Sequence, residues 1–364
     1  MALTCGIVGL PLSGKTTIFN LLTGLQAETS SYFTGKTETN RGMATIYDKR
    51  LTYLGELYDP KKVVYAQIEC FDIPGLVRGS GEGRGVGNQF LAAIRDTDAL
   101  IYVIRVFEDK KIEHCEDSID PIRDWEIMQI ELLVADMEII ERNIERIESN
   151  KKKTAEQEEA LSGLNKCLQG LEQEIPIHRV ELTQKEQQAL QGYSFFTEKP
   201  FLVVINMDEK QYKEQKYPRA ESVRKKAEIM NIPLVEICAK IEVEIGQLKE
   251  DERELFMEDI GIKEPGVDQL ARASYDLLGL VSFFSIGQDE VKAWTIEKGT
   301  PAIKAAGKVH SDMEKGFIRA EVFHWSDAKK WDSVAKLKEK GLYRLEGKDY
   351  IVQDGDIIQF RFNV

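Results

Sequence analysis

Short apolar runs separated by amphipathic stretches dominate the first third of the chain. Leu3–Val8, Met43–Tyr47, Val63–Phe71 and Ala99–Val106 read as strands, and Phe201–Ile205 and Leu234–Cys238 repeat the pattern later. Apolar strands alternating with helix-length segments predict an α/β fold, a mainly parallel sheet covered by helices. Between about residues 112 and 198 the period changes. Ile130, Leu133, Met137, Ile140, Ile144 and Ile147 step by three and four, and so do Leu161, Leu164, Leu168, Leu171 and Ile175. The polar turn Ser149–Thr154 lies between them. This spacing predicts an antiparallel coiled-coil hairpin inserted in the α/β part, in preference to two amphipathic helices lying on the sheet. A third short helix is expected to start at the capping box Thr183-Gln184-Lys185-Glu186. From about Gly279 short strands return at Leu280–Ser285, Val291–Ile296, Phe317–Val322 and Ile357–Phe362, with turn signals at Gly347-Lys348-Asp349 and Asp354-Gly355-Asp356. A small α+β module fits that tail. The expected organisation is therefore residues 1–111 with 199–278 as one domain, 112–198 as a helical insertion, and 279–364 as a second domain.

Composition adds bounds. At 364 residues the chain has room for more than one domain, and 42% apolar with 30% charged residues is ordinary for a globular protein. No apolar run approaches the ~18 residues that cross a membrane, and an N-terminal strand leading straight into a glycine-rich turn does not read as a removable signal peptide. The five cysteines form no Cys-x-x-Cys pair. Cys5, Cys70 and Cys238 sit in apolar runs as core thiols, so a reducing cytoplasm is expected. The net charge of −13 disfavours indiscriminate nucleic-acid binding. It is unevenly spread. Residues 279–364 carry 14 Lys and Arg against 13 Asp and Glu, leaving 35 against 49 in residues 1–278. A local RNA-facing patch near the C-terminus is thereby permitted.

The chemistry starts at Gly9-Leu10-Pro11-Leu12-Ser13-Gly14-Lys15-Thr16, a complete phosphate-binding loop between a strand and a helix-like stretch. Gly9 and Gly14 let backbone N–H groups of Leu12, Ser13, Gly14, Lys15, Thr16 and Thr17 turn toward a phosphate chain, and the following helix adds its positive N-terminus. Lys15 is expected on the β- and γ-phosphate oxygens, and the Thr16 hydroxyl on Mg²⁺. Asp72-Ile73-Pro74-Gly75 follows a strand and has the D-x-x-G form of a second metal and phosphate element. Asp72 would hold Mg²⁺ through a water, and the Gly75 N–H would sense the γ-phosphate. The glycines from Gly79 to Gly87 read as a mobile switch segment. Leu76 stands where many GTPases carry a glutamine that orients water, so intrinsic hydrolysis should be slow.

Base selection points away from guanine. Asn206-Met207-Asp208-Glu209 ends a strand where GTPases place Asn-Lys-x-Asp. Glu209 is one methylene longer than the aspartate that accepts both N1–H and N2–H₂ of guanine, and Met207 replaces the lysine. A disturbed hydrogen-bond pair can cost orders of magnitude in discrimination, which favours adenine or relaxed preference. Cys238-Ala239-Lys240 resembles the Ser-Ala-Lys loop that supports the base.

Together, the phosphate loop, Asp72–Gly75, the altered Asn206–Glu209 element and the hairpin resemble the YchF (Obg-like) ATPases. The tail Glu290–Ile296, Ala305–Asp312 and Gly316–Val322 is similar to that family's TGS domain, a ubiquitin-like β-grasp. The resemblance spans nearly the whole chain. It implies a P-loop domain that binds and slowly hydrolyses ATP with Mg²⁺, a cytoplasmic role connected with the ribosome, and no membrane partner. It also implies the apolar replacement of the catalytic glutamine, here Leu76. Leu12 replaces the asparagine that helps hold K⁺ in related NTPases, which puts K⁺ activation in doubt, and Ser13 and Thr16 replace valine and serine. In the first switch, Ser30–Asn40, both Thr34 and Thr37 are candidates for the γ-phosphate and Mg²⁺ contact. His114 resembles a histidine position of the family and is a candidate for the water-positioning contact that Leu76 cannot make. The competing expectation for His114 is an ordinary solvated loop histidine. His310 is expected to be structural or partner-facing. Three functional readings follow: a slow ATPase switch docking on the ribosome, a GTPase in which Glu209 reads guanine, and an adaptor that uses nucleotide only to fix its shape.

Overall fold

A computed structural model describes residues 3–29, 39–76, 86–331 and 333–363. Along the chain run β1 (Thr4–Val8), α1 (Lys15–Thr23), β2 (Asn40–Ile46), α2 (Lys49–Tyr58), β3 (Lys62–Val64), β4 (Ala66–Asp72), α3 (Val86–Arg95) and β5 (Ala99–Arg105). There follow α4 (Pro121–Glu148), α5 (Ala155–Glu172), α6 (Gln184–Leu190), β6 (Phe201–Asn206), α7 (Glu209–Glu214), α8 (Ala220–Met230), β7 (Leu234–Ile237), α9 (Ala239–Gln247), α10 (Glu250–Asp259) and α11 (Gly266–Leu277). The tail holds β8 (Leu280–Ile286), β9 (Glu290–Glu297), α12 (Ala302–Val309), α13 (Ser311–Lys315), β10 (Phe317–His324), α14 (Trp325–Trp331), α15 (Val334–Glu339), β11 (Arg344–Glu346) and β12 (Asp356–Phe362). The chain divides into two compact units. Residues 1–42 with 69–270 form the first, and 43–68 with 271–364 the second.

The first unit is built on a sheet of order β2-β4-β1-β5-β6-β7. β1 pairs in parallel with β4 and β5, β5 with β6, and β6 with β7. Every residue of β1, β5 and β6 is buried, as expected of strands covered on both faces. The order reverses at β1, whose neighbours β4 and β5 come later in the chain. That switch point opens a crevice at the C-terminal strand ends, and the glycine-rich loop sits there.

The insertion differs in detail from the expected two-helix seam. Asp120 caps α4 with Pro121 in its first turn, and Thr154 forms a capping box on α5. The near half of α4 packs Trp125, Met128, Leu132 and Ala135 into the core beneath the sheet. The far half joins Ile140 and Ile147 to Leu164, Cys167 and Leu171 of α5, and Leu190 of α6, Ile177 and Phe195 close the same cluster. Ile130 is 48% exposed and Ile175 38% exposed, so the periodic stripe does not face a partner at its ends. The capping box at Thr183 forms as expected. Asp136, fully buried on α4, anchors the chain entering β6: it accepts the N–H groups of Phe196 at 2.8 Å and Thr197 at 2.7 Å, and the Thr197 hydroxyl at 2.7 Å.

The second unit contains a sheet of order β11-β10-β12-β8-β9-β3. β8 and β9 form an antiparallel hairpin, β12 returns parallel to β8, and β10 pairs antiparallel with β12 and β11. Ala302 and Ala305 of α12 pack into the core formed with Phe283, Ile296, Ala320 and Ile358. This is a β-grasp. The expected strand Val63–Phe71 is two strands: β3 adds in parallel to β9, and β4 belongs to the other sheet. Arg50 at the start of α2 donates to Asp48 and, at 2.6 and 3.1 Å, to Asp354. Its guanidinium lies over the Phe284 ring.

Burial pushes the Asp136 carboxyl up to about 6, against the pull of its three hydrogen bonds. The folded chain then holds a proton that the unfolded chain has lost between about pH 4 and 6. Stability should fall as pH rises through that window and level off above it. Asp136→Asn should flatten this dependence. It should also cost about 2 kcal/mol at neutral pH, because its amide turns a donor toward buried donors. Urea unfolding from pH 4 to 7 measures both.

Candidate functional site

Gly14, in the left-handed region at φ 95°, begins α1 and aims its first turn at the crevice. A Cβ on Gly9 would collide with the Val103 carbonyl and approach the Ser13 hydroxyl to 2.9 Å. Leu12 takes a left-handed φ of 61°, a conformation that asparagine tolerates better than leucine. The Ser13 hydroxyl is buried without a hydrogen-bond partner among the described residues. Lys15 is 7% exposed and its ammonium donates to the Leu10 carbonyl at 2.8 Å. Burial lowers its pKa to about 8, against the opposing pull of Asp72 and Cys115.

Asp72 ends β4 beside the loop. Its carboxylate accepts the Thr16 hydroxyl at 2.9 Å and the Asn40 amide at 3.2 Å. Thr16 and Asp72 thus form a hard-oxygen pair next to the loop, which suits Mg²⁺, an ion that takes one or two protein oxygens and keeps waters and phosphate oxygens for the rest. No cluster of three His, Cys, Asp or Glu able to hold a metal occurs among the described residues. Gly75 lies against the loop: a Cβ there would stand 3.4 Å from the Lys15 ammonium. The Leu76 N–H bonds the Gly9 carbonyl at 3.1 Å, while its side chain is 1% exposed within the core. Thr34, Thr37 and the glycines from Gly79 to Gly85 lie outside the described residues.

The base side is assembled by Asn206. Its amide donates to the Ser13 carbonyl at 3.1 Å and its oxygen accepts the Ala239 N–H at 3.2 Å. Met207 is 2% exposed and packs into the core at the wall of the crevice. Asp208 caps α7 through the Gln211 N–H. Glu209 pairs with Lys240 at 2.6 Å. Cys238 precedes α9, and burial raises its thiol pKa. A crevice of about 800 Å³ is lined by Leu12, Gly14, Thr17, Phe107, Asn206 and Glu209 among others. The Arg105 guanidinium lies 4.4 Å from the centre of the Phe107 ring.

His114 is held by neighbours in the loop after β5 and on α4. Its side chain is 7% exposed, Nδ1 accepts the Glu116 N–H at 3.1 Å, and Nε2 lies 3.0 Å from the buried Asp124 carboxylate of α4. Both ring nitrogens are engaged. His310 is exposed, and its Nδ1 accepts the Asp312 N–H at the start of α13. The structure brings Gly9, Gly14, Lys15, Thr16, Asp72, Gly75, Asn206, Glu209 and Ala239 to one crevice. Sequence reading missed Asn40 and Phe107. An asparagine just past the first switch and an aromatic just past a strand end were the available signals.

Comparison with known proteins gives concordant results. The YchF-GTPase C-terminal family model, described as a protein of unknown function, matches residues 280–363, and a model described as a 50S ribosome-binding GTPase matches residues 4–154. The protein named ribosome-binding ATPase YchF from Bacillus subtilis is 43% identical over 366 residues, covering all of both chains. The protein of the same name from Escherichia coli O157:H7 is 40% identical, again over all of both chains. The solved structure of the Schizosaccharomyces pombe YchF GTPase is 30% identical, with a TM-score of 0.86, covering 99% of this chain and 98% of that one.

Asn206→Ala should leave the buried Ser13 carbonyl and Ala239 N–H unpaired. A loss of about 2–4 kcal/mol in chemical denaturation is expected, with the urea midpoint as readout.

Proposed function

The chain belongs to the YchF family, and on that premise we propose that it is a Mg²⁺-dependent nucleotide switch that slowly hydrolyses ATP and acts with the ribosome in the cytoplasm. The ATP preference rests on one observation: the Glu209 carboxylate is paired with the exposed Lys240 ammonium. A carboxylate that reads guanine must accept two N–H groups, and an ammonium 2.6 Å away competes for the same oxygens. Slow turnover is supported by Leu76, which is apolar and turned into the core, and by His114, which is engaged by Asp124. Ribosome association is supported by the relatives' name and by the family description of residues 4–154.

In this reading the backbone N–H groups from Leu12 to Thr17 hold the phosphates, and Lys15 exchanges its bond to the Leu10 carbonyl for β- and γ-phosphate oxygens. Gly75 offers its N–H to the γ-phosphate, and the Asn206–Glu209 and Cys238–Ala239 elements hold the base. Thr16 and Asp72 would hold Mg²⁺, which supplies charge neutralisation along the phosphate chain when bound. Asn40, already on Asp72, reports to β2 whether that carboxylate is engaged. The Phe107 ring offers an apolar wall to the base.

Calorimetry with Mg²⁺ should give tighter binding of ATP than of GTP, and Lys240→Ala should narrow the difference by freeing Glu209. Tighter GTP binding by the unaltered protein would assign guanine reading to Glu209. Lys15→Ala should lower ATP turnover by about two to three orders of magnitude. Undiminished turnover would mark the adaptor reading as correct. Because phosphate binds the charged form of Lys15, affinity should be flat below about pH 8 and fall above it, by up to about tenfold per pH unit.

A further inference from the structure

In a chain with a net charge of −13, the stretch from residue 329 to 344 is strongly basic. Within residues 329–344 are Lys329, Lys330, Lys336, Lys338, Lys340 and Arg344, against Asp332 and Glu339. The stretch folds as the end of α14, α15 and the turn into β11, all within the second unit. Leu337 anchors α15 inward at 1% exposure, and the flanking lysines are exposed. None of the five lysines makes an ion pair among the described residues. Several cations elsewhere in the same unit are paired: Lys61 with Asp289, Lys62 with Glu290, Lys304 with Glu314 and Arg361 with Glu321.

The cations are interleaved with aromatic rings. Lys330 and Lys340 each lie 5.4 Å from the Trp331 ring centre, and Lys338 lies 4.7 Å from that of Tyr343. These contacts join α14 to the cap of α15, and α15 to the following turn, as one surface. Both rings are partly exposed. Tyr343 is held by stacking on Phe323 and by its hydroxyl bond to Glu321, so its orientation is set in advance. An acidic protein partner would use the charges alone. Rings set between unpaired cations offer a stacking face beside a phosphate contact, the combination that single-stranded nucleic acid uses.

We infer that this face, centred on Trp331, Lys338, Lys340 and Tyr343, is a docking site for single-stranded RNA. On the proposed ribosome association, it is where an exposed rRNA loop or end is gripped. Lysines now over the rings would move to phosphates, leaving ring faces for bases. None of these four residues lines the nucleotide crevice.

The test uses the full-length protein and a fluorescent single-stranded oligouridine, read by anisotropy, with ribosome pelleting alongside. Binding should weaken with salt, with a log–log slope of about −2 to −3 for three to four phosphates. Lys330→Gln/Lys338→Gln/Lys340→Gln should reduce the slope by about 2, and Trp331→Ala should weaken binding roughly tenfold. Lys298→Gln, exposed elsewhere in the unit, should change neither. ATP binding should be unaltered in all variants, showing that they fold. Absence of oligouridine binding by the unaltered protein, or binding indifferent to both the triple and the Trp331 variants, would overturn the site. Ribosome pelleting lost in the triple variant without any oligouridine binding would mean a protein partner and also overturn it. Oligouridine binding that behaves as expected in a protein that never pellets with ribosomes would keep the site and reject the ribosome association.

Discussion

The nucleotide crevice depends on the Asn206 side chain. It stands at the end of β6, takes the Ser13 carbonyl of the phosphate loop on one side and the Ala239 N–H at the start of α9 on the other. Three loops that leave different strands are thereby fixed to one another at the C-terminal edge of the sheet. The tie is buried, so losing it would leave both partners without water to replace it. Gly14 shows how tightly the parts are matched: a Cβ there would run into the Asn206 amide. The loop's glycines serve close approach of backbone to side chain as much as unusual torsion angles.

Around that tie several polar groups of the crevice satisfy each other. Lys15 bonds the Leu10 carbonyl, Thr16 and Asn40 bond Asp72, and Glu209 bonds Lys240. In the proposed reading these bonds would be exchanged for phosphate, metal and base, so binding energy would be spent on rearrangement as well as on contact. Asn40 matters in this respect because it stands where the first switch segment becomes β2.

The helical insertion meets the crevice through its root. Asp124, in the first turn of α4, holds His114 in the loop after β5, and Asp136, three turns on, holds the entry to β6. The same helix therefore grips both segments that lead to the base and phosphate elements.

The elements, and the segments that line the crevice, were legible in the sequence because they are local. Apolar runs marked β1, β5 and β6, step spacing marked α4 and α5, and contiguous residues marked the phosphate loop, Asp72–Gly75 and Asn206–Glu209. Such features depend on backbone torsion, periodicity and short spacing, which neighbouring residues set. What only the tertiary structure decided lies between residues far apart in the chain. Examples are Glu209 paired with Lys240, His114 turned onto Asp124, Asn40 on Asp72, and residues 43–68 gathered into a unit with the tail through β3 on β9 and Arg50 on Asp354. A side chain's charge and length are written at its own position. Its partner is selected only when the packed sheets leave one geometry in which both groups are satisfied.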